Sequence, residues 1–435
     1  MTPPLPDRRE FLKATGLFVF FLAEAPEALQ EPARLPTGRQ GYPTDLNAYL
    51  HIKADGRVTC FSGKIEMGQG PATSLAQLLA EELDVPLASV DVVLGDTDLC
   101  PWDMGTFGSL TIRQFGPLLR EAAAEARAVL VQMASERLQV PAERLVVADG
   151  VVSDRDNRAA RVTYAQLTEG RRIERRLGAK PALEPVERFT IVGRPARRRD
   201  AVEKVTGAAR FAGDIVPPGG ALHARLLRPP AHGARLASVD VSAAEKRPGV
   251  TVVQDDDLVA VLHPHWDEAD RALGDVKSEF VRQDPPVDDR TIFDHLVKAA
   301  PAPRTAAEGG SLAEGEAQAA QMVERTWLDS YVAHAPIEPH AAVAAVEGGK
   351  VTVWAGTQTP FPLKSQIVQA LKLPPEKVRV ITPYVGGGFG GKSASMQGLE
   401  AARLAVLTGK PVRVQWSREE RSEEHTSELQ SRTVI

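Results

Sequence analysis

Strand-like and helix-like patterns follow one another irregularly along this chain, and together they predict a fold of the α+β class. Three observations carry that expectation. Short alternating runs joined by tight turns read as antiparallel hairpins, at 46–52 with 58–61 around Ala54-Asp55-Gly56, and at 146–152 around Asp149-Gly150. Apolar residues at helical spacing mark helices at 73–83, 117–138, 362–371 and 396–407. Between these elements lie three stretches of glycine and small residues, at 63–70, 104–111 and 384–393.

The chain has 435 residues, 43% hydrophobic and 25% charged, with a net charge of −5. This is the composition of a soluble globular protein with length for two or three domains. The slight acidity gives no support to a nucleic-acid or anionic-membrane partner. Cys60 and Cys100 are the two cysteines. Their distance, and so their pairing, does not follow from sequence, and two thiolates are too few for an iron–sulfur cluster.

The N-terminus places Arg8-Arg9 and Phe11-Leu12-Lys13 ahead of the apolar run Leu17-Phe18-Val19-Phe20-Phe21-Leu22, followed by Ala23-Glu24-Ala25. That order reads as a signal peptide over 1–25, cleaved or retained as an anchor, because the core is far short of the roughly 20 residues that cross a bilayer. The paired arginines resemble a twin-arginine signal, which implies a periplasmic protein, free or membrane-associated. A Pro/Gly linker at 26–43 follows.

A first unit is expected at 44–185. Its hairpin leads into Gly63-Lys64-Ile65-Glu66-Met67-Gly68-Gln69-Gly70, just ahead of the helix at 73–83. On its own this string is also compatible with Met67 in the core and Gln69 capping the helix. A strand at 90–97 then leads to Met104-Gly105-Thr106-Phe107-Gly108-Ser109-Leu110-Thr111. Here Ser109 or Thr111 could cap the alanine-rich helix that follows. The basic run at 171–180 reads as a solvated surface.

A second unit at 190–285 contains short strands at 221–227, 239–241, 250–253 and 258–262 and a helix at 267–273. His263 and His265 share a strand face, but no third ligand is apparent, so no metal ligand is assigned. A Pro/Ala/Gly-rich linker at 286–318 precedes a third unit at 319–420, with a strand at 351–354, Thr357-Gln358-Thr359, a helix and a strand at 378–381.

The third unit ends in Tyr384-Val385-Gly386-Gly387-Gly388-Phe389-Gly390-Gly391-Lys392-Ser393, between a strand and a helix. Each glycine inside a regular element costs roughly 0.5–1 kcal/mol relative to alanine, so the chain needs bare backbone here. N–H groups at a helix N-terminus favour an anionic guest. The string fits the nucleotide loop G-x-x-x-x-G-K-[ST] over Gly386 to Ser393, and also G-x-G-x-x-G. Context favours neither: Thr382-Pro383-Tyr384 separates strand from glycines, and no apolar strand ending in Asp or Glu follows.

A third reading is a family resemblance. Val385 to Lys392 resembles the glycine loop of the molybdenum-binding subunit of the xanthine dehydrogenase and aldehyde oxidase family, and the segments at 63–70 and 104–111 resemble its other two cofactor segments. The order of segments resembles most the exported branch that includes the large chain of isoquinoline 1-oxidoreductase. This implies two molybdopterin-binding segments, 44–185 and 319–420, flanking an α/β hammerhead domain. It also implies molybdopterin, in a nucleotide form such as the cytosine dinucleotide, held by Met67, Gly68, Gln69, Gly70, Gly108, Ser109, Leu110, Thr111, Gly387, Gly388, Phe389 and Gly390.

The implied reaction is hydroxylation of an aldehyde or N-heteroaromatic substrate with water as oxygen source, electrons leaving through a two-iron two-sulfur subunit or a c-type cytochrome. The family's general-base glutamate, in a Gly-Glu-Pro setting, has no counterpart in this chain, so no catalytic residue is assigned. Glu66 and Glu338 match that base by position in neither case, and an ion-pair role is expected for each. Val332 stands where many members place a glutamine. The family pattern stops after Glu420, and 421–435 reads as a non-native tail, so a truncated chain, inactive as written, is expected. A nucleotide-binding protein and a non-catalytic cofactor-binding subunit are the alternatives.

Overall fold

The computed structural model describes residues 16–20, 48–169, 172–176, 182–230, 233–281, 287–305, 307–329 and 332–420. The expected linker at 26–43 and tail at 421–435, with most of the signal segment, lie outside these residues.

Eight strands belong to the N-terminal part: β1 (Gly16–Phe20), β2 (Ala48–Lys53), β3 (Val58–Ser62), β4 (Val90–Leu94), β5 (Leu145–Ala148), β6 (Val151–Asp154), β7 (Arg161–Thr163) and β8 (Arg172–Arg176). Five form one sheet in the order β4-β3-β2-β1-β8, and β5-β6-β7 form a small antiparallel sheet. The expected hairpin is β2–β3, with Gly56 at φ 82° in its turn; the second is β5–β6, where Asp149 and Gly150 both take positive φ. The apolar run read as an export core has a different local form: Gly16–Phe20 is a strand, antiparallel to β2 and parallel to β8. A Leu-Phe-Val-Phe run has the β-branched and aromatic character that suits a strand.

Helices α1 (Pro71–Leu83) and α2 (Gly116–Leu138) pack on each other and on this sheet. The core between them contains Leu50, Ile52, Val58, Leu75, Leu79, Phe115, Leu119 and Leu130. Cys60 and Cys100 are buried free thiols, and burial pushes Cys60 up to about 12.

The remaining strands are β9 (Leu222–Leu226), β10 (Arg235–Asp240), β11 (Thr251–Asp255), β12 (Leu258–His263), β13 (Lys277–Val281), β14 (Ala341–Glu347), β15 (Lys350–Ala355), β16 (Val378–Ile381) and β17 (Val412–Gln415). Each short strand expected in the second unit is present, as is its helix, α3 (Trp266–Gly274). They do not form a sheet of their own. Parallel pairing of β17 with β9 joins them to the third unit in one seven-stranded sheet, β11-β12-β9-β17-β14-β15-β16, while β10 and β13 form a separate ribbon. Alternation cannot reveal such a junction, because it fixes which side chains share a face and leaves the neighbouring strand unspecified. Helices α4 (Pro360–Leu371) and α5 (Met396–Thr408) cover this sheet through Leu363, Ile367, Ala401 and Leu404. The linker region at 286–318 contains two short helices, Ile292–Ala299 and Leu312–Gln318.

The two large sheets meet where β4 ends. Asp96, fully buried, accepts from Arg379 Nε at 3.0 Å and Nη2 at 2.5 Å. Thr97 and Val380 exchange two hydrogen bonds, and Thr382 N–H donates to Gly95 O at 2.9 Å. These contacts span more than 280 residues of sequence and hold the first unit against the third. Removing one partner of a buried pair leaves the other charge uncompensated. Arg379→Met is therefore expected to lower unfolding stability by about 3 kcal/mol in urea denaturation, and a loss below roughly 0.5 kcal/mol would mean that the pair does not join the units.

Candidate functional site

The three small-residue stretches, far apart in sequence, are bonded to one another. Ile65 N–H donates to Thr106 Oγ1 at 2.9 Å, linking the first to the second. Val385 N–H donates to Glu66 O at 3.0 Å, linking the first to the third. Between the second and third lies Gln358, 1% exposed. Its Nε2 donates to Thr106 O at 2.8 Å, and its Oε1 accepts from Gly390 N–H at 3.0 Å and Lys392 N–H at 3.4 Å. Its backbone N–H donates to Lys392 O and its carbonyl accepts from Thr106 N–H. A Cβ at Gly388 would stand 2.4 Å from Gln358 Oε1, so glycine is required there by close approach. Thr357 Oγ1 meets Ser395 Oγ at 2.5 Å and Thr359 Oγ1 donates to Ser393 O at 2.8 Å, completing the clamp on the loop.

The first stretch closes on itself. Gln69 Oε1 accepts from Met67 N–H at 2.8 Å while its Nε2 donates to Ile65 O at 2.9 Å. Gln69 thus does not cap α1, whose N-cap is Gly70 at φ 86° without a side-chain cap. Glu66 Oε1 accepts from Gly68 and Gly70 N–H at 2.8 and 3.2 Å. Met67 is half-buried, while Gly68 and Gln69 are exposed.

In the second stretch Gly108 and Ser109 both have positive φ, 60° and 55°, and both are exposed. A π-helical turn, Thr111–Phe115, follows and runs into α2. Neither Ser109 nor Thr111 caps a helix: the π turn starts from Leu110 and α2 from Phe115, both without a side-chain cap. The continuous helical turn leaves no β-region residue from which a hydroxyl could cap.

The glycine loop departs from expectation in one respect. It does not end at a helix N-terminus, because α5 begins only at Met396. Its N–H groups are arranged by side chains instead: Glu338 Oε2 accepts from Gly386 N–H and from Lys392 Nζ, each at 2.6 Å. Lys392 is fully buried. A lysine so placed has no reach to a phosphate over the loop, which counts against nucleotide binding. Phe389, by contrast, is 73% exposed and sits at φ 55°. A bulky residue in the left-handed region is strained by roughly 1–2 kcal/mol, and such strain concentrates at binding sites.

Half of the twelve expected contact residues share one property. The backbone N–H groups of Gln69, Gly108, Ser109, Gly387, Gly388 and Phe389 have no acceptor among the described residues. Four of these residues, Gln69, Gly108, Ser109 and Phe389, are exposed, so their N–H groups face solvent on three mutually bonded loops and are open to an acceptor-rich ligand. Glu66 and Glu338 hold the ion-pair roles expected of them: Glu338 with Lys392, Glu66 with Arg198 at 3.4 Å and Lys204 at 3.5 Å. His263 and His265 have ring centres 5.5 Å apart, and His263 Nδ1 accepts from His265 N–H. Among the described residues no group of three or more His, Cys, Asp or Glu has metal-binding geometry. Val332 is exposed.

Sequence reading missed the part played by Gln358, and that of the segment at 198–204. The signals present were a polar Thr-Gln-Thr directly before a proline-started helix, and Arg198, Asp200 and Lys204 within one short turn.

Lys392→Met is expected to destabilise the chain by about 3 kcal/mol, since Glu338 would keep its place under the loop without its cation. Nucleotide affinity, measured alongside by equilibrium dialysis, is expected to be undetectable before and after the change. Tight ATP binding abolished by the substitution would reverse the assignment of this lysine.

Two matches to models of molybdopterin cofactor-binding domains cover residues 29–207 and 297–433. One of the subunits of nicotinate dehydrogenase from Pseudomonas putida is 32% identical over 430 residues, covering 96% of this chain and 36% of that protein. The beta chain of isoquinoline 1-oxidoreductase from Brevundimonas diminuta is 28% identical, covering 86% of this chain and 54% of its own length. The chain thus spans about a third to a half of the length of these curated relatives. Among solved structures, quinoline 2-oxidoreductase from Pseudomonas putida 86 aligns over 53% of this chain and 35% of its own, with 24% identity and a TM-score of 0.43. With both cofactor-binding models falling on the segments that the three bonded loops bring together, this chain belongs to the molybdopterin-binding subunits of the xanthine dehydrogenase and aldehyde oxidase family.

Proposed function

We propose that the chain forms the cofactor-holding part of a molybdenum hydroxylase subunit that oxidises an aldehyde or an N-heteroaromatic ring at carbon, with water as the oxygen source. The observation that carries this reading is the bonding of three small-residue loops into one surface within the two molybdopterin-binding domain matches, with N–H groups at Gln69, Gly108, Ser109, Gly387, Gly388 and Phe389 that have no acceptor among the described residues. A pterin with its phosphate presents acceptors that such a surface satisfies, and Gly68 leaves open space where a side chain would stand. When bound, the molybdenum cofactor supplies the two-electron oxidation and the activation of water.

The chain's own part is to bind and orient. Gln69, Gly108, Ser109 and Gly387 to Phe389 would supply N–H donors, and Gln358 keeps the second and third loops in register. Phe389 offers an apolar face beside those donors, suited to a flat aromatic substrate or pterin edge. Proton transfer is a different matter. Glu66 and Glu338 each hold one carboxylate oxygen, Oε1 and Oε2 respectively, on backbone N–H groups and a cation, an ion-pair role, and no residue of this chain matches the family's general base. The reading therefore includes no turnover by this chain alone. It also includes an electron-accepting partner, an iron–sulfur subunit or a cytochrome, since the two cysteines are buried and too few for a cluster.

Export is the remaining part of the proposal and rests on the order of residues at 1–25. Among the described residues no helix is long and apolar enough to cross a membrane. N-terminal sequencing of the protein recovered from cell fractions tests it: a chain beginning after Ala25 in the periplasm supports cleavage. An intact start in the cytoplasm would favour Gly16–Phe20 as a permanent strand.

Expressed in a host that makes the cofactor, the chain is expected to contain molybdenum and pterin at close to one each per chain by metal analysis and pterin fluorescence. Aldehyde or N-heterocycle turnover by the chain alone would contradict the assignment of both glutamates. Isotopic oxygen from labelled water should enter the product when the full-length subunit is assayed with its partner.

A further inference from the structure

We propose that the segment Arg198 to Lys204, which touches none of the six free donors, is a positioning strap that sets how tightly the cofactor is held; this rests on the molybdopterin reading above. The tip of the first loop, at Gly68 to Gly70, has little packing around it. A Cβ at Gly68 would meet nothing within 4 Å, and one at Gly70 would meet only the Arg198 guanidinium, at 3.8 Å. What holds Gly68 on that side is a single donor: Arg198 Nη1 to Gly68 O at 2.7 Å.

Arg198 is in turn held rigidly. Its Nε and Nη2 fork onto Asp200 at 2.9 and 2.7 Å, and Asp200 is buried. Two parallel bonds fix the plane of the guanidinium, so Nη1 is aimed rather than free to wander. Lys204 bridges Asp200 at 2.5 Å and Glu66 at 3.5 Å. Glu66 is the carboxylate that accepts from Gly68 and Gly70 N–H. The same short segment reaches the entry of the glycine loop, where Tyr384 OH donates to Glu203 Oε2 at 2.9 Å and Lys204 Nζ lies 5.0 Å over the Tyr384 ring. Side-chain contacts from residues 198–204 therefore converge on the first loop and on Tyr384, tying two of the three cofactor loops from the outside. Arg198, Lys204 and Tyr384 act through these loops and are positioning residues.

The test uses the full chain produced with cofactor synthesis, comparing the parent with Arg198→Met, Arg198→Lys and Tyr384→Phe. Three quantities are read: molybdenum and pterin per chain, the rate of pterin release by fluorescence, and the thermal midpoint of the cofactor-free chain. Arg198→Met leaves buried Asp200 with Lys204 as its remaining cation, so the midpoint is expected to fall somewhat and release is compared at temperatures well below both midpoints. Release from Arg198→Met is expected to be about tenfold faster, the scale of one lost hydrogen bond from a charged donor, and Arg198→Lys, which keeps the charge but cannot fork onto Asp200 and reach Gly68 O together, should recover little of the difference. Tyr384→Phe, which deletes one hydroxyl, should release about threefold faster.

Release from Arg198→Met equal to that of the parent overturns the inference, as does a fall in midpoint that accounts for the whole loss of cofactor. Should Arg198→Met fail to fold, Tyr384→Phe decides: faster release supports the strap and an unchanged rate overturns it. A parent chain that holds no pterin at all overturns the molybdopterin reading and the strap with it, and that failure is read from the parent alone.

Discussion

The side chain of Gln358 is bonded at both ends, to Thr106 O through its nitrogen and to Gly390 and Lys392 N–H through its oxygen. A primary amide donates and accepts from one rigid plane. No carboxylate would serve, because Thr106 presents a carbonyl, and no lysine, because the glycine loop presents N–H groups. Around this plane two backbones separated by more than 250 residues are held about one amide apart. Gly388 is glycine because the amide occupies the space its side chain would need. The loop surface is thus made from the inside out: a buried amide fixes the second and third loops against each other, and the bonds among the loops fix the rest.

Charge supports the same arrangement from below. Lys392 and Glu338 are paired beneath the glycine loop, and Lys64 and Asp103 are paired at 2.8 Å beneath the second stretch, with Lys64 also donating to Gly105 O at 2.7 Å. Both lysines are fully buried. Such pairs are weak sources of net stability, since desolvation offsets most of the attraction. Their value here is directional: each lysine donates to a fixed backbone or carboxylate acceptor and so selects one loop conformation among many that bare glycine backbone would permit.

Local matters were legible in the sequence. The β2–β3 hairpin followed from alternation and Ala54-Asp55-Gly56, and the helices at 71–83 and 396–408 from spacing, to within two residues. The three small-residue loops were visible because glycine at such density has no place inside an element. Less visible was everything that depends on partners distant in sequence. Gln69 has the composition of a helix cap, yet its amide closes its own loop, because Gly70 already supplies the left-handed start of α1. Ser109 has the composition of a cap as well, but the π turn leaves no extended residue for it to act from. Arg379 and Asp96 are an ordinary strand arginine and an ordinary turn aspartate until the two sheets meet.

The parallel pair β9–β17 has a consequence for the order in which the molecule comes into being. Val412 lies beside Leu222, so the centre of the seven-stranded sheet is closed by a strand made some 190 residues after its neighbour. Until that strand leaves the ribosome, β9 and β14 each present an open edge with unpaired N–H and C=O groups. Domains dominated by such distant pairings assemble late and slowly, with the exposed edges vulnerable in the interval. The glycine loop lies between β16 and α5, so it too is backed by the completed sheet only once this distant pairing has formed.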